Sequence, residues 1–366
     1  MKISLITAAF SKTGVPLAQL RFAHALAKRG HQVTYVVGSA DDVAGVPISK
    51  TVEIKVLQEK KVRSMLFTLI GYIRNEKPEI IFSAEDHLTV VVLLAVIFSF
   101  SGVIISGSSR ILPTDRLAYS NKLFTKGWGL KKLMQLVMWR ANALTCVSKD
   151  MVVLYRDIFK NAPHVSVYNI IKDEESIIRA KEVADHPWLL EKACPVIISA
   201  GTMTKRKGFA DLIQAFSLVA ANRRCRLIIL GEGYLSSDLD NLIKELGLTD
   251  LVAMPGNVDN PLKFFSRSDV FVLSSYAEGM PNVLVEAMMC GCTPVSTDCP
   301  TGPRELLQDG KYGYLVPMRD PQAMAAAIES ALDNPISKTL LDEAVEPFEE
   351  NRVINRHFEV LGFCEK

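Results

Sequence analysis

The chain has 366 residues, 49% apolar and 22% charged, with a formal charge of +2 and a pI near 8.1. At about 150 residues per domain this length points to two domains, and the composition excludes disordered, collagen-like and disulfide-scaffold classes. The near-neutral total hides a split: residues 1–171 hold 22 Lys/Arg and 11 Asp/Glu, against 20 and 29 in residues 172–366, so a basic half is joined to an acidic one.

The first half alternates strands and helices. Ile3–Thr7 reads as a strand; Lys12 interrupts the apolar start and no small-residue cleavage pattern follows, so a signal peptide is not expected. A helix over 17–28 stops at Gly30, and strand Gln32–Val37 follows. A helix over 62–75 ends at Pro78 and leads to strand Glu79–Phe82. Leu88–Ile105 is 18 residues without a charge, at the lower edge of a membrane span. Ser99, Ser101 and Gly102 break it, so it reads as an apolar helix over 88–98 and a strand Val103–Ile105 of a buried sheet. A basic helix over 130–141, strand Ala143–Val147 and a helix over 149–159 close this half.

The pattern restarts with strand Val196–Ala200, helix Phe209–Ala220, strand Arg226–Leu230, a helix over 237–246 and strands Leu251–Met254, Val270–Leu273 and Thr293–Ser296, with a helix over 282–289. Between the halves, the charged stretch 172–193 shows no strand pattern and reads as a hinge. Short strands separated by helices predict an α/β class with parallel, doubly wound sheets. Two such Rossmann-like domains facing a cleft would bind their ligand there. Seven cysteines without a CxxC pair form no disulfide framework, which makes a reducing, cytoplasmic compartment the default.

The strongest chemical signal is Glu278-Gly279-Met280-Pro281-Asn282-Val283-Leu284-Val285-Glu286. It places Glu278 on the loop at a strand's carboxyl end and Glu286 on the following helix. The backbone N–H groups at that helix start form a ready anion site. Flanking carboxylates accept hydrogen bonds from sugar hydroxyls, so the loop suits a nucleotide sugar.

With Ser274-Ser275-Tyr276-Ala277 before it and Gly291, Pro294-Val295 and Gly302-Pro303-Arg304-Glu305 after it, this stretch resembles the family-four retaining glycosyltransferases of GT-B fold, whose hallmark is Glu-x7-Glu. Ser199-Ala200-Gly201 with Lys205-Arg206-Lys207-Gly208-Phe209 resembles the family's diphosphate loop, and Gly231-Glu232-Gly233 its turn near the nucleotide base. Tyr312-Gly313-Tyr314-Leu315-Val316 and Val165-Ser166-Val167-Tyr168-Asn169 resemble two further family segments. The resemblance implies that Glu278 contacts donor-sugar hydroxyls and steadies the positive anomeric centre, as the catalytic residue. Glu286 would hold the ribose, and the N–H groups from Gly279 through Met280 and Pro281 to Asn282 would approach the diphosphate. Lys207, with Arg206, would neutralise the leaving diphosphate. Where many relatives have Arg, this chain has Thr202, and Arg and Lys are not interchangeable at such a site. Thr13-Gly14-Val15-Pro16 stands where relatives carry a Gly-rich loop, making Gly14 a donor contact. On the acceptor side the candidates are His87, after the strand 79–82, and Arg110.

The family frame sets the domains at 1–171 for the acceptor and 194–340 for the nucleotide sugar, with 341–366 a helical segment returning to the first domain. It implies transfer of a hexosyl or N-acetylhexosaminyl group from a nucleotide diphosphate sugar, UDP favoured, to a lipid-linked or polysaccharide acceptor. A small soluble acceptor, an epimerase or phosphorylase on the same fold, and a non-catalytic binder are the alternatives. No cofactor, metal or nucleic-acid partner is expected. Asp238-Leu239-Asp240 reads as a cap at a helix start rather than a metal motif, and Cys290, Cys292 and Cys299 fit no common zinc spacing. From Arg110 to Arg140 seven basic residues interleave with Trp128, Leu130, Leu133, Leu136, Val137 and Trp139. A helix of that pattern can lie on an anionic membrane surface or pack as an ordinary amphipathic helix. The localisation expected is cytoplasmic, or peripheral on the inner face of the plasma membrane.

Overall fold

The computed structural model describes residues 1–10, 14–39, 50–110, 119–120, 122–159 and 163–363. The chain forms two compact units: Met1–Ile170 together with the chain from Glu350 onward, and Ile171–Glu349.

The first unit is built on seven parallel strands, β1 (Lys2–Ala9), β2 (Gln32–Ser39), β3 (Val52–Val56), β4 (Ile80–Ala84), β5 (Ile104–Ser109), β6 (Ala143–Cys146) and β7 (His164–Ser166), in the order β3-β2-β1-β4-β5-β6-β7. Its helices are α1 (Gly14–Lys28), α2 (Met65–Glu76), α3 (Asp86–Ser99), α4 (Lys126–Val137) and α5 (Lys149–Ile158). Strands covered on both faces carry apolar side chains at successive positions; Ile3, Leu5, Ile6 and Val33, Tyr35, Val36, Val37 are all buried. The charge-free stretch splits as expected: α3 ends where Phe100 takes a left-handed conformation (φ 56), and β5 follows. Among the described residues no helix is long and apolar enough to cross a membrane.

The second unit has six parallel strands, β8 (Val196–Ala200), β9 (Arg226–Leu230), β10 (Val252–Gly256), β11 (Val270–Leu273), β12 (Thr293–Thr297) and β13 (Tyr314–Val316), in the order β10-β9-β8-β11-β12-β13. Its helices are α6 (Glu174–Ala180), α7 (Pro187–Leu190), α8 (Phe209–Asn222), α9 (Ser236–Glu245), α10 (Leu262–Phe265), α11 (Asn282–Met289), α12 (Pro303–Leu307), α13 (Pro321–Asp333) and α14 (Lys338–Val345). Helix α15 (Glu350–Val360) returns to the first unit. There His357 stacks on Phe22 at 4.6 Å, and Arg29 donates to Asn355 Oδ1 at 2.6 Å.

Two boundaries differ from the sequence reading. The stretch 172–193 is folded into the second unit instead of forming an open hinge. Asp173 and Ser176 form a reciprocal capping box that starts α6, and Asn260 Nδ2 donates to Arg179 O and Glu182 Oε2, each at 2.8 Å. The return to the first unit begins at Glu350 and not at 341, because Leu341, Ala344 and Val345 of α14 are buried in the second unit.

Candidate functional site

In an open parallel sheet, ligands bind at the carboxyl edge where the strand order reverses. In the second unit that point lies between β8 and β11, which are hydrogen-bonded neighbours although 70 residues separate them in sequence. The loop leaving β8 carries Lys207 and the loop leaving β11 carries Glu278. Lys207 Nζ donates to Glu278 Oε1 at 2.6 Å, with both side chains largely enclosed (15% and 9% exposed). Ser275 Oγ donates to the same oxygen at 2.6 Å, and the Thr301 hydroxyl donates to the Glu278 carbonyl. Thr297 Oγ1 in turn donates to Ser275 O at 2.5 Å. Two donors therefore converge on one carboxylate oxygen at the end of β11, and a third hydroxyl holds the backbone of the same residue.

The β8 loop is pinned against β11 by its backbone. Tyr276 N–H donates to Arg206 O at 2.8 Å, and Ser274 Oγ donates to Lys207 O at 2.8 Å. Gly208 makes that approach feasible: at φ 62, a Cβ there would sit 2.1 Å from Ser274 O. Arg206 is exposed, whereas Lys207 is partly enclosed, so the adjacent cations occupy different environments. Thr202 is exposed as well.

After Glu278 the chain turns into α11 with Pro281 as its N-cap. Of the N–H groups expected to face an anion, two drop out. Pro281 has none, and that of Asn282 is taken by Met280 O at 3.0 Å. Those of Gly279 and Met280 have no backbone acceptor among the described residues. Glu286 lies one turn into α11 and is half-buried. Its proximity adds to burial in pushing the Cys290 thiol up to about 12, and burial with nearby Glu278 pushes Cys299 to about 12. Both thiols stay protonated at neutral pH.

Beside this pair lies an open depression of about 710 Å3 lined by Met203, Gly231, Glu232, Ser236, Met254 and Gly256. The turn after β9 reaches it because Gly231, at φ 120, lies so near the β8 loop that a Cβ would be 2.2 Å from Gly201 O. Glu232 Oε2 accepts from Asn257 Nδ2 at 3.1 Å. Asp238 lies in the first turn of α9 without capping it; the N-cap position is Leu235, and Asp240 pairs with Lys244.

In the first unit the strand order reverses between β1 and β4. Gly14 (φ 64) opens α1 after β1, while Thr13 lies outside the described residues. His87, near the start of α3, is exposed, with Nε2 3.6 Å from Glu85 Oε2. Arg110 is half-buried and held by neutral partners: Nε donates to Ser108 Oγ at 2.8 Å and Nη1 to Asn169 Oδ1. Burial lowers its pKa to about 10. Arg116 of the basic run lies outside the described residues.

Sequence reasoning missed Asp86, next to His87. Its carboxylate accepts from Ser109 Oγ and from Tyr155 OH, each at 2.5 Å, and burial pushes its pKa up. The available signal was its position as first residue of α3. Ser275 and Thr301, which hold Glu278, were also missed as supports, since small hydroxyls carry no distinctive spacing.

Residues 181–347 match the family model described as Glycosyl transferases group 1. That match over the second unit and the two doubly wound sheets support a GT-B glycosyltransferase. The chain is 37% identical over 138 residues to the N-acetylgalactosamine-N,N'-diacetylbacillosaminyl-diphospho-undecaprenol 4-alpha-N-acetylgalactosaminyltransferase of Campylobacter jejuni, covering 38% of this chain and 37% of that relative's length. Over 357 residues, 94% of this chain and 92% of the other, it is 23% identical to the GalNAc-alpha-(1->4)-GalNAc-alpha-(1->3)-diNAcBac-PP-undecaprenol alpha-1,4-N-acetyl-D-galactosaminyltransferase of the same organism. The crystal structure of Anabaena Alr3699/HepE in complex with UDP and glucose aligns with a TM-score of 0.73 at 16% identity, covering 99% of each chain. The fold is GT-B.

Proposed function

We propose that the chain is a retaining glycosyltransferase of the family-four type. It would transfer a hexosyl or N-acetylhexosaminyl group from a UDP-sugar to a lipid-linked or polysaccharide acceptor. The observation that carries this reading is the Lys207–Glu278 pair at the switch point of the second sheet. It sets a cation and a carboxylate side by side, next to the N–H groups of Gly279 and Met280.

In this reading the diphosphate binds Lys207 and those N–H groups, and Arg206 adds a second cation. Glu278 turns from Lys207 to the sugar hydroxyls and to the positive charge that grows at the anomeric carbon as the bond to the diphosphate breaks. Glu286 takes the ribose hydroxyls, and the depression at Glu232 receives the base. The departing diphosphate oxygen accepts the proton of the acceptor hydroxyl as the new glycosidic bond forms on the same face, which retains configuration. The first unit takes the acceptor, with His87 and Arg110 as its candidate contacts, while Gly14 is a candidate donor contact.

The relatives named for transfer to diphospho-undecaprenol glycans favour a lipid-linked acceptor and N-acetylgalactosamine, and HepE with UDP favours a uridine donor. A lipid-borne acceptor would bring the protein to the inner face of the plasma membrane. Calorimetric titration with UDP, GDP and ADP tests the donor. UDP binding that disappears in Lys207→Ala supports the reading, GDP selectivity redirects it to guanosine donors, and no binding to any of the three overturns it.

A further inference from the structure

The loop leaving β12, residues 298–302, supplies neither Lys207 nor Glu278, yet it lies against the loop that leaves β11 along its whole turn. Thr297, at the end of β12, donates to Ser275 O at 2.5 Å. The Thr301 hydroxyl donates to Glu278 O. Gly302, at φ 89, comes so close that a Cβ there would sit 2.8 Å from Pro281 Cδ, 3.0 Å from Gly279 O and 3.2 Å from Met280 Cα. The β12 loop is itself anchored. Asp298 N–H donates to Val316 O of β13 at 2.8 Å, its carboxylate accepts from Arg304 Nε at 3.1 Å, and buried Pro303 starts α12.

Thr301 stands out within this brace. It is 8% exposed and its backbone is left-handed, at φ 64. A β-branched residue is rarely found there, and such strain persists where the surrounding structure fixes it. A glycine would take the same backbone shape freely, so what the threonine adds is its side chain, and the hydroxyl of that side chain is spent on the Glu278 carbonyl.

That bond bears on the site through one peptide group. In a planar trans peptide the C=O and the N–H point in opposite directions, and the Glu278 carbonyl shares its peptide with the Gly279 N–H. Holding the carbonyl on Thr301 therefore sets the plane and turns the Gly279 N–H to the other side. A carbonyl that accepts a hydrogen bond also polarises its peptide, which makes the N–H a stronger donor. This N–H has no backbone acceptor among the described residues, and it belongs to the residue next to the carboxylate that Lys207 meets.

We propose that Thr301 is a positioning residue for the donor diphosphate. It touches no substrate; it fixes the Glu278–Gly279 peptide so that the Gly279 N–H stays aimed at the phosphate oxygens. The proposal rests on the donor reading above, in which that N–H is one of the diphosphate's contacts, and adds the residue that sets its direction.

The test is calorimetric titration of the full chain with UDP and, by competition, with uridine, which lacks both phosphates. Thr301→Val keeps the shape of the side chain and removes the donor. It should weaken UDP about tenfold, close to the worth of one hydrogen bond to a charged group, and leave uridine unchanged. Thr301→Ser restores the hydroxyl and should bring UDP back to the wild-type affinity. Should the valine variant not fold, Thr301→Gly deletes the same hydroxyl at a backbone position glycine adopts without strain, and the same selective loss is expected. UDP affinity that survives loss of the hydroxyl overturns the proposal and leaves the donor reading standing. Equal weakening of UDP and uridine would make Thr301 a general support of the unit and also overturn it. Wild-type protein that binds no UDP overturns the donor reading, and the positioning role with it.

Discussion

The Lys207–Glu278 pair makes a sharp prediction because stability and ligand binding read it separately. Replacing Lys207 by Met keeps most of the side chain's length and removes the charge, leaving Glu278 largely buried with Ser275 as its remaining side-chain donor. Breaking a buried pair costs about 3–5 kcal/mol; residual exposure of both groups brings the expectation to about 2–4 kcal/mol. Glu278→Gln should cost a similar amount by stranding the ammonium. The double variant, with no charge to strand, should lose less than the two singles added, with a coupling of about 2 kcal/mol. Trp188 is the one tryptophan of the second unit. Its fluorescence during urea unfolding, in a Trp128→Phe, Trp139→Phe background, therefore isolates that unit. A ligand at a hundredfold its Kd stabilises by about 2.7 kcal/mol, so UDP should give wild type that increment and give Lys207→Met almost none. Single-variant effects that simply add, within about 0.5 kcal/mol, would refute the claim that the two groups are a coupled pair.

Other consequences are independent of this pair. Gly208→Ala places a Cβ against Ser274 O at a left-handed position; the expected cost is about 2–3 kcal/mol in the second unit with at least a tenfold weaker UDP titration. In the first unit, burial and then Arg110 push His357 down to about 3 from an ordinary 6.5. The unfolded chain therefore takes up this proton first as pH falls, so the contribution is whole at pH 8 and is lost from about pH 6.5 down to about pH 3. By pH 5 the loss works out at about 2 kcal/mol. His164, pushed down to about 4, acts in the same direction, while Asp86, pushed up by burial, opposes both. His357→Gln should shrink the pH 8 to pH 5 difference in urea stability by about the 2 kcal/mol that His357 supplies; an unchanged difference would refute the assignment. Asp86→Asn should leave UDP binding untouched and raise KM for the acceptor if Asp86 orders the carboxyl edge of the first sheet through Ser109 and Tyr155.

How much of this was legible in the sequence depends on what each element needed. Strands such as β1, β2, β8 and β11 are buried on both faces, so their apolar runs announce them. Strand β3 alternates as Val-Glu-Ile-Lys-Val at a sheet edge, and β7 is three residues long; neither has an apolar run to detect. Strand β5 was expected to stop at Ile105 and continues to Ser109, because pairing of Ser106 through Ser109 with Ala143 through Cys146 extends the sheet through small polar residues. For the site, the sequence placed Lys207 and Glu278 on separate loops, each with a phosphate or sugar role. It could not pair them, because contact between loops 71 residues apart follows from β8 and β11 being neighbours, and strand order is not a local property.

Helix phase explains the remaining differences, and it acts on single residues. Glu85, Asp86 and His87 are adjacent polar residues with similar claims to a site. Once α3 starts at Asp86, the carboxylate meets the hydroxyls of Ser109 and Tyr155, whereas His87 is left exposed. On α4 the same logic inverts an expectation. An apolar stripe at helical spacing normally marks the buried side, and Leu133, Leu136 and Trp139 satisfy that spacing. Met134 and Val137 satisfy it equally well one residue on, and these are the two that are buried. Two apolar stripes on one short helix cannot both face the same core, so Leu136 and Trp139 are left exposed.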